Sequence, residues 1–243
     1  MVRREFPEVT LIESGSNRGY AAGNNLAFST ASGDWLLTLN PDTEFLDDAL
    51  QRSIDILQSH PHIGCVAPRL VHPDGRTQAS VRGWPTAAGV IGDASGLGKL
   101  LPRSRLASYR LQTFDYEKEQ PAPQPMGTFL MFRRSAIEKV ADAKKPFDEQ
   151  FPIFFNEVDL LYRMHQAGWN CLYSPSVRVV HHGGESTRQV RKSMIWESHR
   201  SLVRFLKKHY RTPLNAWGLA VFAGLLYVAA FVRARGYHAG FGA

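Results

Sequence analysis

Cysteine is scarce in this chain. Two occur in 243 residues, Cys65 and Cys171. Both sit in apolar, strand-like surroundings without metal-ligand spacing, which excludes a disulfide framework and points to a reducing compartment. An apolar run after Met1 is also lacking. The polar segment "VRREFPE" follows instead, so no secretory signal peptide is expected there. Internal repeats and low-complexity tracts are absent as well, which argues against a solenoid or a disordered chain. Acidic residues are fewer than basic ones, 22 against 29, for a formal charge of +7 and a pI near 9.6. Such an excess suits nucleic acid, an acidic membrane surface or anionic substrates. No aromatic-basic binding motif appears, and the bases cluster around an apolar tail, which argues against nucleic acid.

What is present alternates strand and helix. "DWLLTLN" reads as a strand, "DDALQRSIDILQSH" as a helix with Leu50, Ile54 and Leu57 at helical spacing, and "IGCVAPRLV" as a strand before an "HPDG" turn. Further on, "MGTFLMFRR" reads as a strand, and "SAIEKV" and "EVDLLYRMHQAG" as helices. "NCLYSPSVRVVHH" reads as a strand pair. Upstream, "EVTLIES", Glu8 to Ser14, suits a short strand. The loop "GSNRGYAAGNN" then leads into a helix closed by Gly33. This order predicts an α/β fold with a mainly parallel sheet flanked by helices. From Arg82 to Pro125 the chain is rich in Gly, Pro and Ser, and a long functional flap or partly disordered loop is expected.

The C-terminal part differs. "PLNAWGLAVFAGLLYVAAFV", Pro213 to Val232, carries no charged side chain and is about long enough to cross a hydrocarbon core. Lys207, Lys208 and Arg211 precede it, and Arg233 and Arg235 follow. Before it, Ile195, Leu202, Phe205, Leu206 and Tyr210 share one helical face among bases. The division expected is an α/β domain over 1–192 and a membrane-associating helical tail over 193–243. A buried C-terminal helix pair is the alternative.

Three constellations could carry chemistry. The strand "WLLTL" stops at Asn40-Pro41-Asp42, and a carboxylate just past a buried strand lies where open α/β sheets bind ligands. Asp42 could hold a divalent cation on a diphosphate, or "NPD" could be a helix-capping turn. In "FFNEVDL", Asn156, Glu157 and Asp159 cluster at a helix start, where acids are favoured electrostatically and where a rigid carboxylate could serve as a general base. In "VVHHGGESTRQ", a strand ends in His181 and His182 before Ser186, Thr187 and Arg188. A strand-end histidine can ligate a metal or simply be solvated.

Taken in series, "NRGYAAGNN", "LTLNPDTEF", "LVHPDGRTQASVRGWPT", "MGTFLMFRRSAIEKV" and the block from "PFDEQ" to "GGESTR" resemble the family 2 glycosyltransferases, nearest their bacterial rhamnosyltransferase-like branch. The resemblance covers about residues 8–190. It implies a GT-A type fold, a nucleotide-sugar donor such as a dTDP- or UDP-sugar, a divalent cation (Mg²⁺ or Mn²⁺) and inversion at the anomeric carbon. "NPD" matches the family's metal motif, which makes Asp42 the metal and diphosphate residue, with Asn40 in place of the usual first Asp. Glu157 stands where the family usually has an aspartate read as general base, and Asp159 is the second candidate. His181 matches a histidine metal ligand. Gly127 and Thr128 match a segment lining the donor-sugar side, and Asn17, Gly19 and Asn24 a loop near the nucleotide.

The family normally opens on an apolar strand, a "TYN"-like turn and an Asp-x-x-Ser-x-Asp segment that grips the base. These are not found here, so a chain lacking the N-terminal nucleotide-binding part is expected. The function expected is transfer of a rhamnose-like sugar to a cell-envelope polysaccharide or lipid-linked acceptor, at the cytoplasmic face of a membrane. The alternative is a degenerate, non-catalytic binding module associated with a membrane.

Overall fold

The computed structural model describes residues 1–183 and 191–235. Ser186, Thr187 and Arg188 therefore lie outside the described residues. The helices before residue 184 are α1 (Val2–Glu5), α2 (Tyr20–Phe28), α3 (Ala49–Ser59), α4 (Ala87–Ser95), α5 (Leu97–Leu100), α6 (Arg134–Glu138) and α7 (Asn156–Gln166). The strands are β1 (Trp35–Leu39), β2 (Thr43–Leu46), β3 (Ile63–Val71), β4 (Val81–Arg82), β5 (Gln120–Pro121), β6 (Gln124–Pro125), β7 (Phe129–Arg133) and β8 (Asn170–His181).

The main sheet runs β1-β7-β3-β8-β2, with β5 also paired to β8. Only β3 and β8 are parallel; β1 with β7, β3 with β7, β2 with β8 and β5 with β8 are antiparallel. The sheet is therefore mixed, not mainly parallel as the element order suggests. The reason is non-local. β7 returns from the long segment after β3 and enters between β1 and β3 in the opposite direction. β2 leaves β1 at the Asn-Pro-Asp turn and pairs across the sheet with β8.

Period-two alternation packs both faces. On β7, Leu130 and Phe132 join a cluster with Ala136, Ile137, Leu160, Leu161 and Met164. Phe129 and Met131 face the other side, with Leu57 of α3, Val66 and Leu70. These four β7 side chains, Phe129 to Phe132, are buried. Each contributes about 1.5–3 kcal/mol by burial, and Phe132→Ala would cost about 3–5 kcal/mol through the cavity it leaves. The strand at Glu8–Ser14 does not form. Val9 and Leu11 are exposed, and among the described residues no strand pairs with this segment to complete a ladder. Helix α2 ends at Phe28 rather than Gly33, because Phe28 turns into the core against Phe147, 5.8 Å between ring centroids. β8 is one strand, not a pair. Its register against β3 slips between Pro68 and Arg69, whose partners are Ser174 and Arg178, around a proline that cannot donate to the ladder.

Residues 82–125 are not a loop. They fold into α4, α5, a 3₁₀ turn at Arg105–Ala107 and the short strands β5 and β6. Glycine makes this packing possible. A Cβ at Gly92 would lie 2.1 Å from the Leu106 carbonyl oxygen, so only glycine lets the 3₁₀ segment cross α4 directly. The composition that reads as loop is the composition of closely packed backbones.

The C-terminal helices α8 (Arg191–Tyr210) and α9 (Ala216–Ala234) form a hairpin. Phe205 of α8 is fully buried with Phe151, Val158 and Tyr162, the last two on α7. Leu202, Val203 and Leu206 pack against Ala223 and Leu226 of α9 and Val90 of α4. The tail expected from residue 193 thus divides in two. α8 is part of the packed body, whereas α9 exposes Trp217, Val221, Leu225 and Val228.

Candidate active site

The turn Asn40-Pro41-Asp42 lies between β1 and β2. The Asn40 amide donates to the Thr128 carbonyl at 2.9 Å, which ties the turn to the entry of β7. The register of β2 with β8 opposes Thr43 and His181, and the His182 amide donates to the Asp42 carbonyl at 3.0 Å. As a result His181 Nε2 faces Asp42 Oδ2 at 3.6 Å, while His182 points to Glu44. His181 is nearly buried, and its Nδ1 lies 2.9 Å from Gln78 Oε1. An amide oxygen can only accept, so Nδ1 carries the proton and Nε2 presents its lone pair toward Asp42. Burial lowers the His181 pKa, partly offset by the Asp42 charge, which keeps the ring neutral. The other Asp42 oxygen, Oδ1, is buried without a hydrogen-bond partner among the described residues.

This donor set fits a hard divalent cation. A carboxylate oxygen lacks a partner, a neutral imidazole nitrogen is aimed at the same carboxylate, and the ring's far nitrogen is fixed in the way that orients metal-binding histidines. Among the described residues no three His, Cys, Asp or Glu side chains converge as a closed metal cage. Two protein ligands leave positions for phosphate oxygens and water, the usual arrangement for Mg²⁺ on a phosphorylated substrate.

Glu157 sits in the first turn of α7. Phe155, just before it, adopts φ +67°, a left-handed conformation strained for an aromatic residue. Phe155 is held by packing on Phe205, with ring centroids 5.7 Å apart. Burial pushes the Glu157 carboxyl up to about 7, against the opposing pull of the Glu157 and Val158 amides. Gly127 packs on it: a Cβ there would lie 3.3 Å from Glu157 Cδ. The Gly127 carbonyl accepts from the Tyr20 hydroxyl at 2.9 Å, which joins α2 to the same place. Thr128 is buried, and among the described residues neither its hydroxyl nor the Asn156 amide oxygen has a hydrogen-bond partner.

Asp159 is positioned differently. It is fully buried and bonded to Arg163 at 2.9 Å, Lys208 at 2.7 Å and His209 at 2.8 Å. Burial alone would raise its pKa, but the His209 hydrogen bond and the Arg163 and Lys208 charges bring it down to about 2. A carboxylate so held is a poor proton acceptor and a good clamp between α7 and α8. Asn17, Gly19 and Asn24 gather at the start of α2. Asn17 Oδ1 accepts from the Gly19 amide at 3.1 Å, and Asn24 donates to the Tyr20 carbonyl at 2.9 Å. Gly19 has φ +85° and faces the Pro152 carbonyl, which a Cβ would approach to 2.6 Å.

The structure thus links Asn40, Gly127, Thr128 and Glu157 through neighbouring contacts, and brings Asp42 against His181. Gln78 and Tyr20 are the additional residues. Neither has a local sequence signal; each is recruited by tertiary contact. A small, partly open cavity of about 80 Å³, lined by Trp84, Leu161, His165 and Cys171 among others, lies toward the opposite end of β8.

The model of glycosyl transferase family 2 matches residues 2–141. The chain belongs to that family, and its class is glycosyltransferase. It is 29% identical over 232 residues to the N-acetylglucosaminyl-diphospho-decaprenol L-rhamnosyltransferase of Mycobacterium tuberculosis, covering 89% of this chain and 73% of that one. It is 27% identical over 169 residues to the O-antigen biosynthesis protein RfbC of Myxococcus xanthus, covering 70% of this chain and 12% of that one. A mannosyltransferase of Pyrobaculum calidifontis, solved in complex with GDP-Man and Mn²⁺, shares the fold with a TM-score of 0.52 at 17% identity. That match covers 98% of this chain, which spans 62% of the length of that structure.

Proposed function

We propose that this glycosyltransferase is an inverting, divalent-cation-dependent enzyme that moves a rhamnose-like sugar from a dTDP- or UDP-linked donor to a lipid-linked or cell-envelope saccharide. The observation that carries the reading is the pairing of Asp42 with a His181 locked by Gln78, with Glu157 against Gly127, next to the Thr128 carbonyl that holds the Asn40 amide. Asp42 and His181 would hold the cation, which when bound neutralises charge on the departing diphosphate. Glu157 would accept the acceptor hydroxyl's proton as that oxygen bonds to the anomeric carbon. The bond from that carbon to the diphosphate breaks on the opposite face, so the centre inverts. A base with a pKa of about 7 is matched to neutral pH. The rhamnosyltransferase relative supports the sugar and the lipid-linked acceptor. The mannosyltransferase with Mn²⁺ supports the cation.

Association with the cytoplasmic face of a membrane is part of the same proposal. α9 is long and apolar enough to cross a bilayer, and only 17% of its most apolar window is buried, unlike a core helix. The oriented pair at Asp42 and His181 favours a working transferase over a non-catalytic binding module. The test is transfer from dTDP-rhamnose and UDP-sugars to a polyprenyl-diphosphate saccharide, with and without Mn²⁺. Transfer that persists in chelator, or a product of retained anomeric configuration, would sink the proposal.

A further inference from the structure

We propose that the helical insertion between β4 and β7 is a second membrane contact. In this contact Ile91, Leu97, Leu100 and Leu101 enter the apolar boundary of an anionic bilayer, and Lys99, Arg103 and Arg105 meet its headgroup phosphates. The inference rests on the membrane association proposed above and extends it to a part of the chain far from α9 in sequence.

The insertion faces solvent with its largest apolar side chains. Leu100 is 76% exposed, and Ile91, Leu97 and Leu101 are also open. Their exposure follows from the way the unit packs. Its glycine side is used up internally, with Gly89, Gly92 and Gly98 lying against residues 106–109, and Ile91 of α4 and Leu97 and Leu100 of α5 are turned outward. A water-facing loop would gain nothing from four such residues.

The charges choose the partner. From Ala94 to Phe114 the chain has Lys99, Arg103, Arg105 and Arg110 and no acid. The preceding acid, Asp93, is neutralised by Arg110. Lys99, Arg103 and Arg105 are exposed beside the leucines. Apolar tips ringed by bases are what an anionic interface attracts. A second copy of the chain meeting the same patch across a two-fold axis would place these bases against themselves. The patch also belongs to the helical layer of α9, since Val90 shares one buried cluster with Ala223 and Leu226.

The test uses the full chain with an environment-sensitive fluorophore on Leu100→Cys, and separately on Trp217→Cys in α9. The native Cys65 and Cys171 are buried and stay unlabelled. Vesicles of phosphatidylcholine with phosphatidylglycerol, carrying a lipid-borne quencher, should blue-shift and quench both probes. Neutral vesicles should do so much less at position 100. Lys99→Gln, Arg103→Gln and Arg105→Gln together should weaken the response at 100 about fivefold or more and leave that at 217 intact. A probe at 100 that stays in water while 217 enters lipid overturns this inference and spares the membrane reading; neither entering overturns both. A blue shift at 100 without vesicles that grows with protein concentration makes the patch a self-association surface and also overturns it.

Discussion

His181 and Asp42 face each other across 3.6 Å, from the end of β8 and the start of β2, and Gln78 holds the far side of the imidazole at 2.9 Å. Residues remote in sequence meet because β2 pairs with β8 rather than with β1. This relationship predicts where metal affinity resides. Asp42→Asn should abolish Mn²⁺-dependent binding of a nucleoside diphosphate, read by calorimetry. Gln78→Leu removes only the orienting acceptor and should weaken the same binding about 10–100-fold. Unchanged Mn²⁺ affinity in both variants would dismiss the assignment.

Glu157→Gln preserves size but cannot take a proton. Turnover should fall by about 10²–10⁴ while donor binding persists. A defect in donor binding with intact turnover would move the base elsewhere.

The raised Glu157 pKa has two pH signatures. The rate of transfer should climb with pH and level off above about 7, since the base must be ionised. Stability should run the other way. The folded state keeps a proton that the unfolded state releases near 4.5, so this group's contribution is full below that pH and is lost as pH rises through about 7. Urea unfolding at several pH values should show that slope vanish in Glu157→Gln.

Asp159→Asn should act on stability first. Removing the charge strands Arg163, Lys208 and His209 around a buried site, a loss of about 3–5 kcal/mol. The sign is opposite to that of Glu157. The depressed pKa gives stability above the ordinary value of 3.8, lost as acidification approaches about 2. Denaturant midpoints measure the first effect and acid unfolding the second. A variant that is fully stable yet inactive would return Asp159 to the chemistry.

Val221→Asp, Leu225→Asp and Val228→Asp fall on the exposed stripe of α9, at 61% exposure each. Each should oppose bilayer insertion by about 2.5–3.5 kcal/mol at its centre without disturbing the face packed on α8. Vesicle flotation should show the triple variant in the soluble fraction. Ending the chain before α8 is a different experiment. It would remove Phe205 and the partners of Asp159 from the core, and aggregation is the expected outcome.

Local pattern sufficed for several elements. The apolar runs of β1, β3 and β7 are visible because short continuous apolar runs mark strands buried on both faces, and α3 and α7 because a helix imposes its own period on its buried residues. Glu8–Ser14 fails as a strand for the complementary reason, since β-propensity without a neighbouring ladder forms nothing. The insertion at 82–125 misleads because glycine marks both flexible loops and backbones pressed together, and only the Leu106 carbonyl over Gly92 tells them apart.

The candidate site divides along the same line. Asp42, Glu157 and His181 stand in motifs whose order along the chain points to the family, so their identities are legible in one dimension. Strand direction, the Gln78 contact that selects the His181 tautomer, and the Lys208–His209 clamp that occupies Asp159 are not. Each joins residues separated by dozens of positions, and no local preference encodes a pairing whose energy appears only when both partners have left water. The sequence by itself determined which side chains are available for chemistry. The tertiary structure decided which carboxylate is left desolvated and which is spent on ion pairs, because burial and neighbouring charge are properties of the packed chain.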